Sequence, residues 1–222
     1  MAEENIQTNA PEQDLSEILK VRREKLAQLQ AEGMDPFTIT RFVCTTTAQE
    51  IKDHFDEMEG KPVSLAGRIM TKRGMGKVLF CDLQDAAGRI QLYVKFDEMP
   101  EEQFNDFRKY DIGDIVGVKG DVFRTQRGEI SVRVHEQTLL TKALLPLPDK
   151  FHGLTNLETR YRQRYVDLIV NPDVKNTFVK RSNIMRELRS FLDSRGFLEV
   201  DTPILTPFEI GASARPFYTH HN

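Results

Sequence analysis

Hydrophobic and polar residues alternate most regularly between Val78 and Phe96, in the run V-L-F-C-D-L-Q-D-A-A-G-R-I-Q-L-Y-V-K-F. A strand sends successive side chains to opposite faces, so Leu79, Cys81 and Leu83 share one face with Ile90, Leu92, Val94 and Phe96 of a partner strand. Asp85-Ala86-Ala87-Gly88 joins the two runs. The other face carries Val78, Phe80, Asp82 and Gln84, then Arg89, Gln91, Tyr93 and Lys95. Such a mixture of ring, amide and charge is what unstacked bases require. Alternation alone leaves open whether Phe80 stacks a ligand or packs beneath a neighbouring helix.

The same reading extends along the chain. Residues 1–13 form a polar, acidic leader. Asp14 is placed to cap a helix whose apolar stripe is Leu15, Ile18, Leu19, Leu26 and Leu29, ending before Gly33. Thr47 and Glu50 repeat the capping pattern for a short helix carrying Ile51, Phe55 and Met58, stopped by Gly60 and Pro62. From Val63 the period changes to two, with Val63, Leu65, Gly67 and Ile69 on one face and Ser64, Ala66, Arg68 and Met70 on the other. The following T-K-R-G-M-G-K lacks phosphate-loop spacing, since Thr71 and Val78 occupy the wrong positions, and it reads as a flexible basic loop.

After the two central strands, Pro100 opens a helix through Phe107, and residues 115–125 and 129–140 supply two more strands around Gly128. Three strands, a helix and two strands is the order of a five-stranded OB-fold barrel, which makes the chain α+β. In the last strand Ile130, Val132 and Val134 point inward, leaving Glu129, Ser131 and Arg133 outside with Phe80 and Gln91, and Arg68 joins them from the first strand. These groups suit single-stranded nucleic acid, the ring by stacking and the polar groups by discrimination. A solvated sheet face of ordinary mixed character is the alternative.

Beyond residue 143, Pro146 and Pro148 stiffen a connector. The organisation expected is a leader with helices over 1–60, the barrel over 61–143, a linker and hinge helix over 144–175, and the start of a second domain over 176–222. Residues 157–169 read as one helix, whose Arg160, Arg162 and Arg164 either approach phosphates or form a solvated charged face. Asn176 opens a long helix to about Arg195, ended by Gly196 and followed by the strand F-L-E-V and by Thr202-Pro203. His220 and His221 make a weak metal signal, and no metal is expected.

Composition narrows the picture. With 31 basic and 34 acidic residues among 222 and a formal charge of -3, any nucleic-acid site must be a local patch. Cys44 and Cys81 are too far apart for a C-x-x-C pair, which argues against a zinc site or disulfide framework and for a reducing cytoplasm. No apolar run is long enough to span a bilayer, and M-A-E-E-N-I-Q lacks the marks of a signal peptide.

From about residue 14 onward the chain resembles the bacterial type of class II lysyl-tRNA synthetase. The motifs that carry the likeness are H-G-L-T-N-L-E-T-R-Y-R-Q-R-Y-V-D-L at 152–168, G-F-L-E-V-D-T-P at 196–203 and A-R-P-F-Y-T-H-H-N at 214–222. L-F-C-D-L-Q-D in the barrel is shared with aspartyl and asparaginyl relatives. The resemblance implies an anticodon-binding barrel for tRNA-Lys, with Phe80 stacking a base, Gln91 and Glu129 reading base edges, Arg68 beside them, and Lys72 and Arg73 meeting the tRNA backbone. It implies that 176–222 begins an antiparallel-sheet catalytic domain, with Gly196, Phe197 and Pro203 in the first signature at a homodimer interface and Gly211 and Ala212 at the edge of the lysine pocket. Ile210 stands where the family usually has glycine, which restricts the backbone there.

The family's ligase uses ATP and Mg2+ to join lysine to tRNA through signatures that lie beyond Asn222. No catalytic residue is therefore expected within this stretch, and the 222 residues are expected to be inactive alone. A standalone tRNA-binding module without ligase activity is the alternative.

Overall fold

Five antiparallel and parallel ladders close a barrel in the order β1-β2-β3-β5-β4. The strands are β1 (Pro62–Met75), β2 (Val78–Gln84), β3 (Arg89–Lys95), β4 (Ile115–Arg124) and β5 (Ile130–Thr141). The computed structural model describes residues 12–148, 154–204 and 219–220, which fall into two units, one running to Val166 and the other from Asp167. That division lies inside the stretch 144–175 expected to be linker and hinge.

Burial along β2 and β3 follows the alternation expected. Cys81, Leu83, Ile90, Leu92 and Val94 are buried, while their neighbours are half-exposed. Val116, Val118, Val122, Val132 and Val134 complete the interior, and each such side chain contributes about 1.5–3 kcal/mol on removal from water. Burial pushes the Cys81 thiol up to about 12, so it is an inert core residue. A β-carbon on Gly120 would collide with the backbone oxygen of Arg133, which keeps β4 and β5 close at a register shift.

Helices close the barrel. In α2 (Ala48–Asp53), Thr47 and Glu50 form the anticipated capping box, and Ile51 is buried. The helix breaks at His54, and α3 (Phe55–Met58) follows as a separate turn that ends before Gly60, whose φ is 72°. Asp85 ties this cap to the β2–β3 turn. Its Oδ1 accepts from the N–H groups of Ala87 and Gly88, and its Oδ2 accepts from Ala48 N at 2.6 Å. In α4 (Glu101–Lys109), Phe104 and Phe107 enter the same core.

Several expectations are corrected. The basic loop at 71–77 is mostly strand, because β1 continues to Met75 and pairs with β2 down to Val78, leaving a turn at Gly76-Lys77. In α1 (Glu12–Ala31) Asp14 lies within the helix and does not start it. Its docking face includes Arg22, which is buried, while Ile18 is exposed. Arg22 donates to the carbonyls of Ile112, Ala143 and Leu145, and this network replaces much of the apolar stripe as the anchor.

The helix expected over 157–169 is two, α5 (Leu157–Arg162) and α6 (Arg164–Val170), separated at Gln163. In the second unit α7 (Pro172–Asp193) begins earlier than Asn176, because Pro172 suits the first helical turn. Residues 197–200 form no strand among the described residues; a strand is stabilised by a ladder partner, and none is described.

Candidate nucleic-acid interface

The barrel ladders bring one row of side chains across the outer face. Arg73 pairs with Phe80, Phe80 with Tyr93, and Tyr93 with Arg133. A second row runs from Asp82 through Gln91 to Ser131, which in turn faces Phe123 on β4. Paired residues on adjacent strands project to the same side, so these rows form one surface.

The surface is aromatic at its centre. The Phe80 and Tyr93 rings lie 5.3 Å apart and those of Tyr93 and Phe123 lie 5.5 Å apart, both at distances typical of packed aromatic pairs. The Arg133 guanidinium sits over the Phe123 ring at 4.8 Å. Around them opens a concavity of about 740 Å³ that also includes Arg73, Gln91 and Glu129, with Arg124 from the end of β4 and Arg127 from the β4–β5 turn. Its arginines outnumber its carboxylates, Glu98 and Glu129, which gives a local positive field on a chain of net negative charge.

Polar groups in the concavity are only partly engaged. Gln91 Oε1 accepts from the Ser131 hydroxyl at 3.0 Å, and Ser131 is fully buried. Glu98 lies 3.3 Å from both Lys95 and Arg133, yet Glu98 Oε2 and Arg133 Nε are buried without a well-aligned hydrogen bond. Half-exposed rings, with an amide, a carboxylate and guanidinium groups around one cavity, can stack a planar base and hydrogen-bond its edge.

Phe80, Gln91, Glu129 and Arg73 are thus brought together, whereas Arg68 and Lys72 are not. Arg68 Nη1 donates to Gly113 O at 2.7 Å, and Arg68 sits at the far end of the β1–β2 ladder opposite Gln84. Burial lowers the basicity of both Arg68 and Lys72. The Lys72 ammonium donates to the carbonyls of Phe107, Arg108 and Tyr110, closing the C-terminal end of α4. Neither side chain lines the concavity. Phe123, Arg124 and Arg127 were missing from the sequence-derived site; the alternation in β4 that buries Val116, Val118 and Val122 is the signal that places Phe123 outside.

Of the residues tied to the second domain, Gly196 takes a φ of 81° and ends α7, with the Phe197 N–H donating to Leu192 O. Phe197 and Pro203 are exposed. Gly211 and Ala212 lie outside the described residues. Among the described residues no group of three His, Cys, Asp or Glu could hold a metal ion, and no helix is long and apolar enough to cross a membrane.

The family of OB-fold nucleic acid binding domains matches residues 63–140, and that of class II tRNA synthetases (D, K and N) matches residues 156–222. A lysine–tRNA ligase of Clostridium perfringens is 53% identical over 222 residues, covering 100% of this chain and 44% of the relative. One of Syntrophomonas wolfei is 56% identical over 211 residues, 95% of this chain and 43% of the relative. One of a Thermoanaerobacter species is 52% identical over 219 residues, 99% of this chain and 44% of the relative. The chain therefore spans less than half the length of these curated relatives.

Proposed function

Since the chain belongs to the lysine–tRNA ligase family, we propose that its barrel holds the anticodon arm of tRNA-Lys in the concavity around Phe80. The observation that carries this reading is the convergence of Arg73, Phe80, Gln91 and Glu129 on one cavity. Phe80 stacks a base, Gln91 and Glu129 read its edge, and Arg73 with Arg124 and Arg127 meets the backbone phosphates. Phosphate contacts position the loop while edge contacts specify it.

The family relationship supports a wider role in the ATP- and Mg2+-dependent attachment of lysine to tRNA in the cytoplasm. The described residues provide no ligand cluster that fits Mg2+, and no step of that reaction is assigned to them. Assembly as a homodimer through α7 and the 196–203 segment is supported by the exposure of Ile184, Leu188, Phe191 and Phe197.

The test is a titration of the whole chain with the anticodon stem-loop of lysine tRNA, beside the same stem carrying a permuted loop. Tighter binding of the lysine loop is expected. Equal affinity for both loops would refute a reading site.

A further inference from the structure

We propose that α1 is a strap that keeps the chain rigid where it leaves the barrel, and that Arg22 is the positioning residue through which the strap acts. The last strand ends at Thr141, and residues 142–148 form neither helix nor strand. Their path is fixed by a side chain from the start of the chain, 121 and 123 residues away from the groups it holds. The chain runs on from this junction to residues 156–222, which match the class II synthetase family. What α1 controls is therefore the stiffness of the link between the two matched regions.

A carbonyl beyond the last ladder has no strand donor to meet it, and it turns to water unless a side chain reaches it. Arg22 reaches two of them. Its Nη1 donates to Ala143 O at 2.9 Å and to Leu145 O at 3.2 Å, while its Nη2 donates to Ile112 O at 3.0 Å. A guanidinium is planar and carries its donors in a fixed fork, so this one side chain holds the connector and the α4–β4 turn at a set spacing. Gly113 brings the turn close enough for that. Its φ is 101°, and a β-carbon there would lie 3.1 Å from the Ala143 β-carbon.

A second tie runs alongside. Lys25, one turn further along α1, donates to Lys109 O at 2.9 Å and to Asp111 Oδ1 at 2.7 Å, and Asp111 Oδ2 accepts from Lys142 at 2.6 Å. Lys25, Asp111 and Lys142 form a line of alternating charge from α1 to the first residue after β5. Apolar packing of α1 is slight by comparison. Of residues 17–31 Arg22 alone is buried, Ile18 and Val21 are exposed, and Leu29 meets the core only in part. An element with little buried apolar surface opens at a lower free energy than a core strand, so α1 can lift while the barrel stays closed. Lifting it withdraws the donors from Ala143 and Leu145, and neither Pro146 nor Pro148 has an N–H to replace them. All of these contacts lie within the unit that ends at Val166, and they are independent of what the barrel binds.

The experiment is amide relaxation in the isotope-labelled whole chain, read as backbone order parameters. In the wild type Ala143, Leu144, Leu145 and Leu147 are expected to match β2 and β3, at about 0.85. In Arg22→Met, which keeps an apolar stem and removes the donors, these residues and α1 should fall below about 0.6 while β2 and β3 stay unchanged. Arg23→Met, at an exposed neighbouring position on the same helix, should change nothing. Arg22→Gln, too short to reach both loops, should repeat the effect and carries the test if Arg22→Met does not fold. A connector that keeps its order in the Arg22 variants, or is already mobile in the wild type, would overturn the strap. So would an equal loss of order through the barrel strands, or failure of both Arg22 variants to fold, since Arg22 would then hold the fold and not the connector.

Discussion

Arg73 stands directly across from Phe80 in the β1–β2 ladder, while Lys72, one residue earlier, stands across from Cys81 and turns to the other side of the strand. Neighbours in sequence therefore do different work. Arg73→Ala should weaken RNA binding and reduce the slope of log affinity against log salt by about 1, with the melting temperature unchanged. Lys72→Met should do the reverse: it removes a charged donor from three carbonyls at the end of α4, lowers stability by roughly 1–3 kcal/mol, and leaves the affinity of the folded protein intact. Binding isotherms at several salt concentrations, with urea unfolding of the same variants, separate the two effects.

Phe80 is half-exposed on the outer face and contributes little to the interior. Phe80→Ala should weaken anticodon-loop binding by roughly 1–3 kcal/mol, the range for one stacked base. Gln91→Ala should instead relax discrimination between loops. A calorimetric titration in which Phe80→Ala binds as tightly as the wild type would remove the stacking role.

The ammonium of Lys142 is buried and lies 2.6 Å from Asp111 and 2.8 Å from Asp114, and Asp114 is fully buried. Asp114 also accepts from the N–H groups of Asp111 and Ala143, so the pair locks the start of β4 to the end of β5. Lys142→Met strands the Asp114 carboxylate and should cost about 3–5 kcal/mol. Denaturant unfolding measures this. A loss under about 1 kcal/mol would show that the buried carboxylate is accommodated without its partner.

His135 is held above its ordinary basicity of about 6.5, chiefly by its hydrogen bond to Asp121 at 2.7 Å. A folded-state pKa above the unfolded one means that the stabilisation is fully present below about pH 6.5 and is lost as pH rises through the folded value. The imidazole is part-exposed, so the effect should not exceed about 1 kcal/mol. The melting temperature of the wild type minus that of His135→Gln should be constant between about pH 5 and 6.5 and shrink above. A difference that grows with rising pH would contradict the assignment.

Strict alternation made β2 and β3, and with them Phe80 and Gln91, legible in the sequence, because one buried face permits only one register. The strand character of 71–75 is hidden in the sequence for a specific reason. Counting by twos from Val63 sends Arg73 inward, but a register shift between Ile69 and Thr71 reverses the count and sends it outward, opposite Phe80. The glycines at 74 and 76 reinforced a loop reading that pairing with β2 outweighs. Arg22 was hidden because an apolar stripe does not reveal an arginine that reaches carbonyls far away in sequence. The breaks at His54 and Gln163 carry no glycine or proline to mark them.

Contact between RNA and the barrel at the concavity around Phe80 can be observed residue by residue. The measurement maps amide chemical-shift changes as the lysine-tRNA anticodon stem-loop is titrated into the isotope-labelled chain. The largest changes are expected on Arg73, Phe80, Gln91, Phe123, Glu129 and Ser131, with Arg22 and Arg68 unmoved. Shifts concentrated on α1 or around Arg68, with Phe80 and Gln91 unmoved, would contradict it.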